Sequence, residues 1–116
     1  MAVLQNIYSR ASAAATATGN SGVLPTGAAN SIALDINISA VTGTTPSCTF
    51  TFDRQGADGN WYTVYTSSAQ TATGNISTDI GPGCAVNHVL TGVGRLTWTI
   101  SGTTPSFTFS ASVVGK

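Results

Sequence analysis

The chain has 116 residues, 41% of them hydrophobic and only 7% charged, with four Lys or Arg balanced by four Asp at a net charge of zero. That length fits one domain, and the hydrophobic share excludes a disordered chain. The charged share lies far below the roughly 25% of ordinary soluble domains. Neutrality also removes the counterion release that drives nucleic-acid binding, so no nucleic-acid partner is expected.

Thr, Ser, Gly and Ala occupy the positions that charges usually take. A neutral surface lacks the self-repulsion that keeps monomers apart, which suits a chain working in a crowded, symmetric assembly. Residues 1–10 carry neither a basic start nor an apolar run of signal-peptide length, and Ala2 stands where myristoylation requires glycine. No stretch reaches the ~20 apolar residues of a membrane helix, so no membrane partner is expected. Synthesis in a cytosol is the expectation, and with it reduced thiols at Cys48 and Cys84.

In chain order, Val3, Leu4, Ile7 and Tyr8 lie ahead of any clear alternation and define an N-terminal arm over residues 1–12, followed by a single domain over residues 13–116. Such an arm either docks on a neighbour by strand addition or covers its own sheet edge. Residues 11–17 are Ala-rich, but Thr16, Thr18 and the turn Gly19-Asn20-Ser21-Gly22 favour an extended edge strand over a helix. Ile32, Leu34, Ile36 and Ile38 then share one face, opposite Ala33, Asp35, Asn37 and Ser39, which is a half-buried strand.

The same alternation sets Cys48, Phe50 and Phe52 against Thr49 and Thr51. Asp58-Gly59-Asn60 marks a turn before a strand from Trp61 to Thr66. Ile76, Thr78 and Ile80 form another face, closed by Gly81-Pro82-Gly83. Leu96, Trp98 and Ile100 alternate with Arg95, Thr97 and Thr99, and Phe107, Phe109, Ala111 and Val113 with Thr108, Ser110 and Ser112. Seven to eight short strands that each bury every second residue predict an all-β fold, an antiparallel two-sheet sandwich of Ig-like or jelly-roll-like type.

One segment occurs twice. Gly43-Thr44-Thr45-Pro46-Ser47 precedes Cys48-Thr49-Phe50, and Gly102-Thr103-Thr104-Pro105-Ser106 precedes Phe107-Thr108-Phe109. Glycine supplies unusual dihedrals and proline cannot donate to a ladder, so each copy predicts a tight turn between strands. Placed at one end of the domain, Thr44, Thr45, Pro46, Thr103, Thr104 and Pro105 would form a shared contact surface.

The residues that carry chemistry are few. His88 is the single histidine, read as a buried or edge-strand residue with one hydrogen-bond partner; a reactive site would need it beside Cys48 or Cys84. Cys48 shares a face with phenylalanines and reads as an inert core thiol. Asp53 and Asp58 read as parts of a solvated hairpin loop, since hydrolytic acid pairs need a sheltered cleft and calcium loops a denser acid spacing. No zinc spacing, phosphate loop or nucleophile elbow occurs. No catalytic residue, metal or cofactor is therefore expected, and the chain is not expected to be an enzyme. A carbohydrate-binding module, with Trp61, Tyr62 or Tyr65 as a stacking platform, is the competing class.

From Ile32 onward the pattern resembles small β-sandwich proteins encoded among the structural genes of tailed bacteriophages. The shared elements are the alternating strand, Gly43 to Ser47 with its following strand, the turn Asp58-Gly59-Asn60 opening on Trp61, and the second copy from Gly102 to Phe109. The segment from Arg10 through Gly19 to Val23 is similar to the group's first strand. Two cysteines and the His88 segment depart from the group. The resemblance implies a virion protein assembled in the host cytoplasm, of capsid decoration or minor capsid type. Its implied partners are the major capsid protein or other virion subunits, within a homo-oligomer or symmetric assembly. A tail or baseplate component is the nearest alternative.

Overall fold

The computed structural model describes residues 4–116, so Val3 lies outside the described residues. Seven strands follow in order: β1 (Gln5–Ala15), β2 (Gly19–Asn20), β3 (Leu24–Pro25), β4 (Ile32–Gln55), β5 (Trp61–Thr66), β6 (Gly74–Ile80) and β7 (Val93–Gly115). Among the described residues there is no helix. All pairings between these strands are antiparallel within one sheet of order β1-β7-β4-β5, with β2 and β3 on β7 and β6 on β4, and the sheet does not close.

The strands are fewer and longer than alternation predicts in the middle and at the end of the chain. The stretches around Ile32–Ile38 and Cys48–Phe52 belong to one strand, β4, and those around Leu96–Ile100 and Phe107–Val113 to another, β7. The repeated segments are therefore corners inside strands, not turns between them. The ladder runs through both, because Thr44 pairs with Thr103 and each corner supplies the other's backbone partners.

Ring contacts show what the corners do. Ile38 of β4 pairs with Phe109 of β7. On a straight strand Phe50 would lie about 40 Å from Ile38. Yet the Phe50 and Phe109 ring centroids are 5.1 Å apart, and those of Trp98 and Phe109 are 5.2 Å apart, both edge-on. Both long strands must therefore fold back at their corners. The sheet doubles over, and its two halves share one core.

The first half consists of β6, the residues of β4 before its corner, those of β7 after its corner, and β1. It contributes Ile32, Leu34, Ile36, Ile38, Phe107, Phe109 and Val113, all essentially inaccessible to solvent. The second half consists of β5, the rest of β4 and β7, and the short β2 and β3. It contributes Cys48, Phe50, Phe52 and Leu96, equally buried, with Trp98 and Val64 beside them. Just before the corner, a register shift between Ile38 and Ala40 re-phases β4, so that Val41 rather than Ala40 packs on the core opposite Phe107.

Gln5–Ala15 lies in the sheet, from Gln5 opposite Gly115 to Ala15 opposite Phe107. Residue 12, the arm boundary read from the sequence, thus falls inside β1, and from Gln5 onward the arm covers its own β7. The Ala-rich stretch is extended, as expected. Gly19-Asn20, expected as part of a turn, pairs instead with Trp98 and Thr97, since only a glycine lets the backbone approach the Trp98 ring there: a Cβ on Gly19 would sit 2.9 Å from its indole nitrogen.

Candidate functional site

The two corners meet at one tip of the molecule. Gly43 and Gly102 have φ of 115° and 121°, and Thr45 and Thr104 have φ of 48° and 46°. Positive φ is rare for a β-branched residue and marks strain. The packing is reciprocal. A Cβ on Gly43 would lie 2.7 Å from the Thr104 carbonyl oxygen and 2.9 Å from Pro105 Cα, and one on Gly102 would lie 2.8 Å from the Thr45 carbonyl oxygen. Thr44, Thr45, Thr103 and Thr104 are exposed, while Pro46 and Pro105 are half-buried at their base. The structure thus brings six of the ten expected contact residues together as an uncharged tip.

The described arm residues lie apart from that tip. Ile7 and Tyr8 are half-buried against the core, and Ile7 Cδ1 would meet a Cβ on Gly115 at 2.7 Å. Leu4 is 69% exposed. It borders a cavity of about 330 Å³ with Asp79, Cys84 and Lys116.

On the outer face of the first half, side chains from β6, β4, β7 and β1 form a shallow polar concavity of about 590 Å³. Registered rows build it: Ser77, Asp35, Ser112 and Ser9 lie side by side across the four strands, and Asn75, Asn37 and Ser110 form the next row. The Ser77 hydroxyl donates to the Asp35 carboxylate, fixing that acid against its neighbour strand.

The outer face of the second half carries a different cluster. Asp53 was expected in a solvated loop, but it is buried on β4 and opposite Arg95. Its carboxylate accepts from Arg95 Nε at 3.1 Å and from the Thr63 hydroxyl at 2.8 Å. The Arg95 guanidinium also covers the Trp61 ring at 4.3 Å. Asp58 alone sits in the hairpin turn, where the Tyr62 hydroxyl and the Asn60 backbone amide hold its carboxyl below the usual value. The aromatic platform considered from sequence is not assembled: Trp61 is capped by Arg95, Tyr62 is tied to Asp58, and Tyr65 packs on the core.

His88 also departs from its expected place. It is exposed in a segment without regular structure, with its backbone amide bonded to Val86, because the segment is held to the sheet at its neighbours instead: Val86 bridges to Ile80, the Val89 carbonyl accepts from Arg54 at 2.6 Å, and Leu90 packs on the core. Among the described residues no group of His, Cys and acids has a metal-binding arrangement. Cys48 and Cys84 are both free. Burial pushes the Cys48 thiol up to about 12. An alkylating reagent at pH 8 should therefore label Cys84 alone in the folded protein and both thiols in denaturant, read by intact mass. Labelling of Cys48 in the folded state would show that the core opens there. The same raised value makes the folded state lose stability as pH rises from the ordinary thiol range towards 12, since only the unfolded chain can ionise Cys48 early.

The Arg95–Asp53–Trp61 cluster was not recognised from sequence, because its members are distant along the chain. The available signal was phase: Asp53 continues the outward face of Thr49 and Thr51, and Arg95 that of Thr97 and Thr99. Compared with known proteins, the chain matches no protein-family model and no curated sequence.

Proposed function

We propose that this chain is a structural protein of a tailed-bacteriophage virion, a capsid decoration or minor capsid protein that stabilises the shell through contacts with the major capsid protein. The observation that carries the reading is the pair of interlocked corners, which present four exposed threonines and no charge at one tip. Backbone strained at both corners and held by reciprocal packing makes that tip rigid, so little ordering entropy is lost when it docks. Weak single contacts then gain avidity from many symmetric copies. In this reading the doubled-over sheet works as a two-layer sandwich of jelly-roll or Ig type, with Phe50, Trp98 and Phe109 joining the layers.

Electron microscopy and co-sedimentation with empty capsids test it. The expected result is ordered density on the shell and a pelleted protein, both weakened by the double substitution Thr44→Lys and Thr103→Lys at the tip. Binding to tail assemblies alone would move the protein to a tail or baseplate position, and binding to neither would sink the virion reading. One observation favours a carbohydrate-binding role instead: the polar concavity around Asp35, Asn37 and Asn75 offers amide and carboxylate groups suited to sugar hydroxyls. Thermal stabilisation of the isolated domain by glycans would support it.

A further inference from the structure

We propose that β6 is a self-pairing edge through which two copies of this chain join their sheets antiparallel, about a two-fold axis at Ile76. The direction of its backbone groups follows from the ladder. Lys116 N–H donates to the Ser31 carbonyl at 2.9 Å and Ser31 N–H to the Lys116 carbonyl at 3.1 Å, a reciprocal pair beside the first residue of β4. Antiparallel strands alternate in direction, so Ile32, Leu34, Ile36 and Ile38 turn their backbone groups towards β6 and meet Ile80, Thr78, Ile76 and Gly74. Asn75, Ser77 and Asp79 therefore point their N–H and C=O groups away from the sheet. Asp79 confirms the direction, because its carbonyl accepts from Val86 N–H at 3.0 Å on that outer side.

An open edge is a template for another strand, and proteins usually blunt it. The other edges here are blunted. β1 carries two register shifts and Arg10, β5 lies across a register shift in its pairing, and β2 and β3 are two-residue pieces, one ending in Pro25. β6 keeps unbroken register from Gly74 to Ile80 and bears one charge, Asp79. Gly74 opens that run without a side chain, and nothing lies within 4 Å of where its Cβ would be.

The occupant is a second β6 for three reasons. Residues 81–86 cover the edge at Asp79, which limits an added strand to residues 74–78, and a second copy is limited in the same way. With the axis at Ile76, Asn75 of each copy exchanges reciprocal backbone hydrogen bonds with Ser77 of the other, while Ile76 meets Ile76 on the core side. The two Asp79 carboxylates fall about 20 Å apart by strand rise, beyond the screening length of about 8 Å at physiological salt. The rows of the polar concavity would then run on, from Asp35 and Ser77 of one copy to Asn75 and Asn37 of the next.

This inference deepens the contact reading and rests on it only in taking protein association as the task. Light scattering after size exclusion, over a range of concentrations, tests it with Ser77→Pro and Asn75→Lys. Proline removes an outward N–H and the Ser77 hydroxyl's bond to Asp35 but no backbone hydrogen bond of the sheet, so the variant should keep the wild-type far-UV spectrum. The lysine places like charges beside the two-fold and should weaken association by about tenfold or more. A concentration-dependent wild-type dimer with both variants folded and monomeric supports the proposal. A wild type that stays monomeric at its highest soluble concentration overturns it, as does a dimer that survives both substitutions. Loss of fold in Ser77→Pro but not in Ser77→Ala, which also lacks the hydroxyl bonded to Asp35, would show that the Ser77 N–H points into the sheet, which also overturns it. A monomer that still decorates capsids would remove the self-pairing and leave the virion reading standing.

Discussion

Truncating Phe109 to alanine should destabilise the protein by about 3–5 kcal/mol, the range for a buried aromatic whose cavity cannot fully collapse. Phe109 is fully buried and meets Phe50 and Trp98 edge-on, one from each long strand of the opposite half. The Arg10 guanidinium lies 4.4 Å over the same ring and closes the core on the β1 side. The loss therefore falls on the contacts that keep the sheet doubled over, and not on one half alone. Equilibrium urea unfolding measures it. A loss near 1 kcal/mol would mean that the halves are held together elsewhere. Phe109→Leu, which refills most of the volume, should recover a large part of the stability.

The second large effect belongs to the corners. Gly43→Ala should cost about 3 kcal/mol or more, because a side chain at φ of 115° is strained and its Cβ would press on Thr104 and Pro105 backbone atoms, which cannot swing aside. Gly102→Ala should cost a similar amount through Thr45 and Pro46. Thr45→Gly makes the instructive contrast. Glycine in a strand normally weakens it, but here relief of the positive φ offsets the entropy lost on folding, so the variant should be neutral or up to about 1 kcal/mol more stable. A large loss on Thr45→Gly would show that the threonine side chain, and not the backbone, holds the corner. Because the two corners share backbone contacts, the Gly43→Ala/Gly102→Ala pair should be non-additive in a double-mutant cycle.

These two effects also separate what was legible early from what was not. Alternation identified the core well: Ile32 to Ile38, Cys48 to Phe52, Leu96 with Trp98, and Phe107 to Val113 are inward where the period of two places them. The repeat, not alternation, singled out Thr44, Thr45, Thr103 and Thr104 as candidate contact residues, and they are exposed because a glycine followed by small polar residues and proline has no apolar group to bury. The strand boundaries around the two repeats were misread, although the number of strands was not, because proline and glycine look alike in a turn and in a corner. Only pairing partners tell them apart, and the partner of each corner is the other one, far along the chain.

The amino-acid sequence by itself determined an all-β chain, its inward and outward residues, its net neutrality and its two copies of one Gly-Thr-Thr-Pro-Ser segment. Those properties are local, since side-chain direction on a strand depends only on position parity. Tertiary structure alone decided that the strands form one continuous sheet that doubles over, that Asp53 is buried against Arg95, that Trp61 is capped, and that β6, among the described residues, pairs with a strand on one side only. Each of these depends on which strand lies beside which, and strand order is set by packing between residues remote in sequence, which no local period records.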